Sequence, residues 1–294
     1  MGQRALMKRE WVWLSLGGVA TGAAYLPFDL GILLWIAFVP LLLSIRGKSL
    51  GASFLRGWWF GVVAWAVAIH WFAALIAEYS IGSSGLRILF FGVFVAYLGT
   101  MVALLAVLLR AAASSLQRRY FMSDETALTF VAVPVAIAVD GFFPQAFPSP
   151  VAMTQAFHLP FVQIIDLLGS AGLTGFVALV NVCTVVVLTT WKSNPAFVKR
   201  TAIFTLFVFS CFEAYGLLRM HSIDGLLEGA RARGSEMVVA VPQASIPFSR
   251  RRSGQFVEEN IAVYRNLTRM AISQGADLIV WPQNTYERRF KIDG

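Results

Sequence analysis

Charged side chains are scarce in this 294-residue chain, and their scarcity excludes an ordinary soluble protein. Only 14% of the residues are charged, 57% are hydrophobic, and the mean hydropathy is +0.68. Soluble domains carry about 25% charged residues. The composition therefore predicts a mainly α fold, a polytopic membrane helix bundle of about seven spans.

Cysteine is scarce too, and its placement excludes further classes. Cys183 and Cys211 both lie inside apolar runs. This excludes a disulfide framework and a cysteine metal cluster, and we expect no metal and no cofactor. The net charge of +8 comes from short basic clusters between apolar runs. Such clusters are typical of loops that orient membrane helices, so we expect a membrane and no nucleic acid as partner.

Seven hydrophobic segments are long enough, or nearly so, to cross a bilayer. They run from about residue 11 to 26, 30 to 45, 57 to 77, 86 to 109, 128 to 143, 161 to 191 and 202 to 218. The first two are short, and the sixth is too long for one straight crossing. Two pairs of glycines four residues apart, Gly18 with Gly22 and Gly57 with Gly61, predict close helix packing.

The basic residues predict the orientation of these segments. Alternate loops carry twelve lysines and arginines, and the opposite loops carry only Arg87. The twelve are Arg4, Lys8, Arg9, Arg46, Lys48, Arg56, Arg110, Arg118, Arg119, Lys192, Lys199 and Arg200. Because basic loops stay in the cytoplasm, we expect a multi-pass membrane protein with a cytoplasmic N-terminus and a C-terminal segment on the far side, the periplasm if the organism has one.

The C-terminal part differs in composition from the bundle. We predict a transmembrane bundle over residues 1–219, a linker over 220–236 and the start of an α/β domain over 237–294. Residues 237–241 and 278–281 are short apolar runs typical of buried strands, and residues 258–273 have helical periodicity. Strand, helix and strand in this order predict a parallel βαβ unit.

The α/β segment resembles the opening of a nitrilase-type carbon–nitrogen hydrolase domain. The resemblance rests on Val239-Ala240-Val241-Pro242-Gln243, a helix, and Gly275 to Pro282 ending in Val280-Trp281-Pro282. Together with seven predicted spans, the whole chain resembles the apolipoprotein N-acyltransferase family. The bundle contributes these further matching features: Tyr25-Leu26-Pro27-Phe28, His70-Trp71, Gln155-Ala156, and Asp166 to Leu173 continuing through Asn181.

The resemblance implies a reaction and its partners. Family members move an acyl chain from a phospholipid donor to the N-terminal cysteine of diacylated lipoproteins, through a cysteine thioester. They use a glutamate, a lysine and a cysteine in a periplasmic domain that an eighth span follows. The resemblance therefore implies a multi-pass protein of the bacterial inner membrane, with a cytoplasmic N-terminus and a periplasmic C-terminal segment. The residue after Trp281-Pro282 takes the glutamate's position as general base.

This chain departs from that pattern at each catalytic group. Gln283 occupies the general-base position, and an amide cannot accept the thiol proton. Glu287 lies four residues further on, too far to replace it, and Lys291 is too close in sequence to match the family's lysine. No cysteine follows residue 211. We therefore expect a C-terminally truncated family member whose nitrilase-like domain is incomplete and which is inactive alone.

Two alternatives stay open beside the acyltransferase-like protein. One is a noncatalytic membrane scaffold that binds lipid or lipoprotein. The other is a membrane-tethered amidase of the wider nitrilase superfamily, which the absent nucleophile disfavours.

Two ionisable residues of the apolar segments are better explained by structure than by function. We expect His70 to meet the membrane interface, and Asp166 to pair within the bundle or cap the sixth helix.

Overall fold

The structure, a computed structural model, describes residues 2–79, 82–145, 147–234, 236–247, 250 and 255–283. Most of these residues are helical. The helices are α1 (Gly2–Ala23), α2 (Leu34–Ala37), α3 (Val39–Ile45), α4 (Leu50–Ala68), α5 (His70–Glu78), α6 (Ser84–Tyr120), α7 (Asp124–Phe142), α8 (Leu159–Val162), α9 (Ile165–Thr190), α10 (Pro195–Ala232) and α11 (Val257–Ser273). Two 3₁₀ helices cover Gly31–Leu33 and Val151–Gln155, and the strands are β1 (Val239–Ala240) and β2 (Leu278–Ile279).

Five of the described helices, α4, α6, α7, α9 and α10, are long and apolar enough to cross a membrane. They overlap the third to seventh predicted segments, which confirms a membrane protein built from apolar helices. The second segment is a shorter apolar helical stretch, Gly31–Ile45, and α1 is not among the five. The count of seven spans therefore stays a prediction.

Several predicted segments are interrupted where the chain changes direction. The second is divided into a 3₁₀ helix, α2 and α3, and the third is divided at Ile69 between α4 and α5. The sixth is divided into α8 and α9, and α9 is kinked at Gly169, whose φ of 62° lies in the left-handed region that favours glycine. These breaks explain why segment length alone does not give the number of spans.

The chain divides into two compact units, which are described separately. The first comprises Met1–Ala74 and Gly82–His221, and the second comprises Leu75–Ile81 and Ser222–Gly294. Residues 220–232, assigned to a linker from the sequence, are the last turns of α10. The predicted domain boundaries at residues 219 and 236 otherwise stay a prediction.

Glycines allow the helices of the first unit to approach closely. A Cβ atom added at Gly61 of α4 would lie 2.7 Å from the carbonyl oxygen of Gly99 in α6. One added at Gly18 of α1 would lie 2.8 Å from the carbonyl oxygen of Phe60 in α4. Both distances are below van der Waals contact, so the packing role predicted for these glycines is confirmed.

The second unit contains the βαβ arrangement expected from the sequence pattern. β1 and β2 pair in parallel, with Val239 opposite Leu278 and Ala240 opposite Ile279. Between them, α11 buries Tyr264 and Ala271 on one face. Gly275, with φ of 80°, follows the helix in the left-handed conformation that glycine commonly adopts at a helix end. The assignment of this unit to a nitrilase-like domain stays a prediction.

We predict that Gly61→Ala destabilises the bundle by roughly 1–3 kcal/mol, because the added methyl group forces α4 and α6 apart. Thermal unfolding of the detergent-purified chain measures the effect. Gly92→Ala is the matched control, since a Cβ atom added at Gly92 in α6 meets nothing within 4 Å. Equal unfolding temperatures for the two variants would contradict the packing argument.

Candidate functional site

The predicted general-base position follows β2 in the second unit. Gln283 is exposed and lies four residues after Ile279. The strand register is fixed on its N-terminal side by Asp277, whose backbone nitrogen donates to the carbonyl oxygen of Val238 at 2.8 Å. The Asp277 carboxylate also accepts from the backbone nitrogen of Val238 at 2.8 Å. After the strand, the Val280 nitrogen donates to the carbonyl oxygen of Ala240 at 2.9 Å.

Trp281 anchors this strand end to the helix beside it. Its ring lies 5.4 Å from the ring of Tyr264 in α11, measured between centroids. Its Nε1 donates to Oγ1 of Thr268 at 3.0 Å. An indole N–H that is partly buried needs such a partner. The Trp-Pro pair therefore has a structural role in this chain, fixing the backbone that leads to Gln283.

The chemistry available at residue 283 is that of a primary amide. Its oxygen accepts hydrogen bonds and its nitrogen donates them, but neither atom takes up a proton near neutral pH. Glu287 and Lys291 lie outside the described residues. Among the residues that the structure describes, no group of three or more His, Cys, Asp or Glu side chains is placed to hold a metal ion.

The first unit contains a cavity of about 190 Å³ walled largely by aromatic rings, the aromatic cavity. Its walls come from the turn after α1, the end of α4, the start of α5, α6, the loop after α7 and the second 3₁₀ helix. The lining residues are Ala24, Tyr25, Leu26, Asp29, Trp65, Ala68, Ile69, Trp71, Phe94, Leu98, Phe147, Ser149 and Met153. Such a cavity suits part of an acyl chain, because it offers apolar surface with few groups that require hydrogen bonds and is smaller than a complete ligand site of about 300–1,000 Å³.

Contacts among the rings fix the shape of the aromatic cavity. The rings of Tyr25 and Trp65 are 5.7 Å apart, and those of Trp71 and Phe147 are 6.4 Å apart. The Tyr25 hydroxyl donates to the carbonyl oxygen of Ser149 at 3.2 Å. This bond joins the turn after α1 to the loop after α7. The turn Tyr25-Leu26-Pro27-Phe28 thus contributes Tyr25 and Leu26 to the cavity wall.

Two buried amides hold the interrupted helix beside this cavity. Gln155 is fully buried, and its Oε1 accepts from Nε1 of Trp35 at 2.6 Å while its Nε2 donates to the carbonyl oxygen of Gly31 at 3.2 Å. Asn181 accepts from the backbone nitrogen of Phe38 at 2.9 Å and donates to the carbonyl oxygen of Leu34 at 2.8 Å. Both residues therefore have a structural role, which their match to the family's sequence features did not predict.

Asp140 joins three elements of the bundle through its carboxylate, a role that was not predicted from the sequence. One carboxylate oxygen accepts from Oγ1 of Thr174 at 2.7 Å, and the other accepts from the backbone nitrogen of Val151 at 3.2 Å. These bonds join α7, α9 and the second 3₁₀ helix, and Asp140 also lines a small cavity of about 70 Å³. The available signal was a lone carboxylate within an apolar run.

The other ionisable residues of the apolar segments lie in ordinary contacts. Asp166 accepts from the hydroxyl of Tyr215 at 2.6 Å and from Nε of Arg219 at 3.0 Å. Its expected pairing within the bundle is confirmed. The ring of His70 lies 5.1 Å from that of Phe28, and the side chain is exposed. Its placement at the membrane interface stays a prediction.

Long apolar helices, closely packed through glycines and interrupted around buried amides, define an integral membrane protein with a multi-helix bundle. Residues 17–183, more than half of the chain, match the family described as "Apolipoprotein N-acyltransferase N-terminal domain". The chain belongs to the apolipoprotein N-acyltransferase family. This confirms the resemblance drawn from its sequence motifs.

A comparison with a full-length relative extends the similarity into the second unit. A protein of Geobacter metallireducens named apolipoprotein N-acyltransferase is 28% identical over 284 residues. The similarity covers 95% of this chain and 52% of that protein. The chain thus spans about half the length of the curated relative that it matches.

We predict that Gln155→Leu lowers the unfolding temperature of the bundle. The substitution removes the amide that bonds Nε1 of Trp35 and the carbonyl oxygen of Gly31. Each of these buried groups left unpaired lowers the free energy of unfolding by roughly 1–3 kcal/mol. Thermal unfolding in detergent measures the loss. Gln163→Leu is the control, because Nε2 of Gln163 bonds only the carbonyl oxygen of Leu159 at an exposed site. An equal loss in both variants would contradict the role assigned to Gln155.

Proposed function

We propose that the chain is an apolipoprotein N-acyltransferase-like protein that binds phospholipid in its bundle, and that its 294 residues do not complete acyl transfer alone. In the family reaction, a cysteine thiolate attacks the ester carbonyl of a phospholipid. A thioester forms, and the lysophospholipid leaves as an alcohol after it receives the thiol's proton. The α-amine of a lipoprotein's N-terminal cysteine then attacks the thioester, which gives an amide and restores the thiol.

The observation that supports inactivity is the amide at residue 283. A general base must accept the thiol proton, and such a base contributes about 10²- to 10⁴-fold to the rate of a proton-transfer step. Gln283 cannot do this. The two cysteines lie in apolar helices, Cys183 in α9 and Cys211 in α10. A catalytic lysine and cysteine would therefore have to come from outside these 294 residues.

The aromatic cavity supports the lipid-binding part of the proposal. Its loops, after α1 and α7, belong to the side of the membrane that carries few basic residues. By the distribution of lysine and arginine this is the periplasmic side of the bacterial inner membrane. We therefore assign two partners. One is a phospholipid donor with its acyl chain in this cavity, and the other is a diacylated lipoprotein as acceptor.

We predict no acyl transfer by the purified chain. A fluorescent phospholipid and a diacylated lipopeptide with an N-terminal cysteine are incubated with the chain, and triacylated product is measured by chromatography. The expected yield equals that of a protein-free sample, because base and nucleophile are both missing. Product above that level, in proportion to protein, would refute the proposal.

The Gln283→Glu variant tests the missing general base separately from the missing cysteine nucleophile. Without a cysteine nucleophile this variant is expected to stay inactive. If a polypeptide carrying the family's lysine and cysteine is added and restores turnover, Gln283→Glu should raise the rate by about 10²-fold or more, as expected for a general base. Equal rates for the unchanged chain and the Gln283→Glu variant in the restored system would remove residue 283 from the mechanism.

A noncatalytic lipid- or lipoprotein-binding scaffold is the second candidate, and the aromatic cavity is the observation that favours it. Trp71→Ala is expected to lower phospholipid retention about fivefold, which corresponds to about 1 kcal/mol of lost apolar contact. Native mass spectrometry of the detergent-purified chain counts the retained lipid. Trp191→Ala is the control, since Trp191 is exposed but does not line the cavity. Equal retention by both variants would argue against a lipid in this cavity.

A further inference from the structure

A second groove lies at the end of the first unit that carries basic residues. It has a volume of about 770 Å³ and is bounded by α1, α2, α3 and α9. We call it the basic groove. Its lining residues are Glu10, Trp13, Ile36, Val39, Pro40, Leu43, Ser44, Arg46, Lys48, Thr184 and Leu188. Its volume lies within the range of about 300–1,000 Å³ that ligand sites occupy.

Large apolar side chains form the wall of the basic groove and stay uncovered. Trp13 is 54% exposed, Ile36 58% and Leu188 63%. They come from three different helices, α1, α2 and α9, and therefore form a shared apolar surface. In a membrane protein such a surface suits an acyl chain, because it offers apolar contact without requiring hydrogen bonds.

The groove is lined by charges of both signs, but its carboxylate Glu10, and the two carboxylates that contact Arg46 beside it, already form ion pairs with arginines. Glu10 accepts from Nε of Arg56 at 2.7 Å. Asp124 accepts from Arg110 at 2.5 Å, and Arg46 forms ion pairs with both Asp124 and Glu125. Three carboxylates are thus held by three arginines.

Lys48 is the cation left over at this rim. It lines the groove, its side chain is exposed, and no described acidic side chain forms an ion pair with it. Its backbone is fixed, because its carbonyl oxygen accepts from Nε of Arg110 at 3.0 Å. The groove therefore combines an apolar wall with an exposed lysine at its rim whose backbone is fixed.

We propose that the basic groove binds one anionic phospholipid. An acyl chain lies against Trp13, Ile36 and Leu188, and the phosphate lies at the ammonium group of Lys48, with Arg46 next to it. Basic sites between membrane helices attract anionic headgroups in this way. The excess positive charge favours a lipid with a net negative headgroup over a zwitterionic one. This site is separate from the aromatic cavity and does not depend on acyl transfer.

The test compares two probe lipids on the detergent-purified chain. Dioleoylphosphatidylglycerol and dioleoylphosphatidylcholine are titrated separately, and bound lipid is counted by native mass spectrometry. The unchanged chain is expected to bind phosphatidylglycerol more tightly. Lys48→Gln should weaken that binding about fivefold, since one basic side chain adds about 1 kcal/mol of attraction to an anionic headgroup. Binding of phosphatidylcholine should not change.

Two further variants test the position of the site. Lys199→Gln removes an exposed lysine that the predicted topology places on the same side and that does not line the groove. It should leave the lipid preference intact. Leu188→Trp fills the groove and should weaken phosphatidylglycerol binding, whereas Leu206→Trp, at a residue 64% exposed in α10, should not.

Three results would overturn the proposal. The first is equal affinity of the unchanged chain for the two lipids. The second is an equal effect of Lys48→Gln and Lys199→Gln, which would indicate a diffuse surface charge effect. The third is a protein dimer that Leu188→Trp dissociates and that lipid does not displace, since the groove would then bind a second copy of the chain. The aromatic cavity has no basic lining residue, so Trp71→Ala should weaken retention of either lipid there, whereas Lys48→Gln should weaken only phosphatidylglycerol binding. Failure of this proposal is therefore distinguishable from failure at the aromatic cavity.

Discussion

Backbone polar groups inside a bilayer must find their hydrogen-bond partners within the protein, and this requirement governs the bundle. The chain interrupts its helices at residues 24–39, where 3₁₀ and short α-helical pieces free several backbone groups. Gln155 and Asn181 bind three of these groups, those of Gly31, Leu34 and Phe38. The turn that precedes this stretch provides Tyr25 and Asp29 to the aromatic cavity. Two buried amides thus satisfy the backbone of the interrupted stretch that follows this turn.

Much of this fold follows from composition and periodicity. The hydrophobic segments gave the positions of α4, α6, α7, α9 and α10, because long apolar runs have few alternatives to a membrane helix. Glycines four residues apart gave the close approach of α4 to α6. The pattern of two short apolar runs around an amphipathic segment gave the parallel pair of β1 and β2.

Other features depend on contacts between residues far apart in sequence, which periodicity does not encode. The break at Ile69 and the division of Gly31–Ile45 into short helices are examples. The bond from Asn181 to Phe38 joins residues 143 positions apart. Asp140 was missed for the same reason, because its partners Thr174 and Val151 become its neighbours only after folding. At residue 283 the sequence was more informative than the fold, since the amide is evident from the residue type alone.

Lipid binding and acyl transfer have different physical requirements. Lipid binding rests on apolar surface and needs no particular protonation state. Acyl transfer needs a base, a nucleophile and their alignment, and our proposal of inactivity rests on the amide at residue 283, which cannot serve as the base. The proposed function therefore assigns this chain a lipid site without the chemistry of acyl transfer.

One measurement tests this separation most directly. The purified chain is incubated with a phospholipid that carries a photoactivatable group at the end of its acyl chain, and the protein mass is recorded before and after illumination. The account predicts no mass increase in the dark and, after illumination, adducts on peptides that contain Trp71 or Phe147 of the aromatic cavity. A mass increase in the dark equal to one acyl chain, removable by hydroxylamine, would show a thioester and contradict the account.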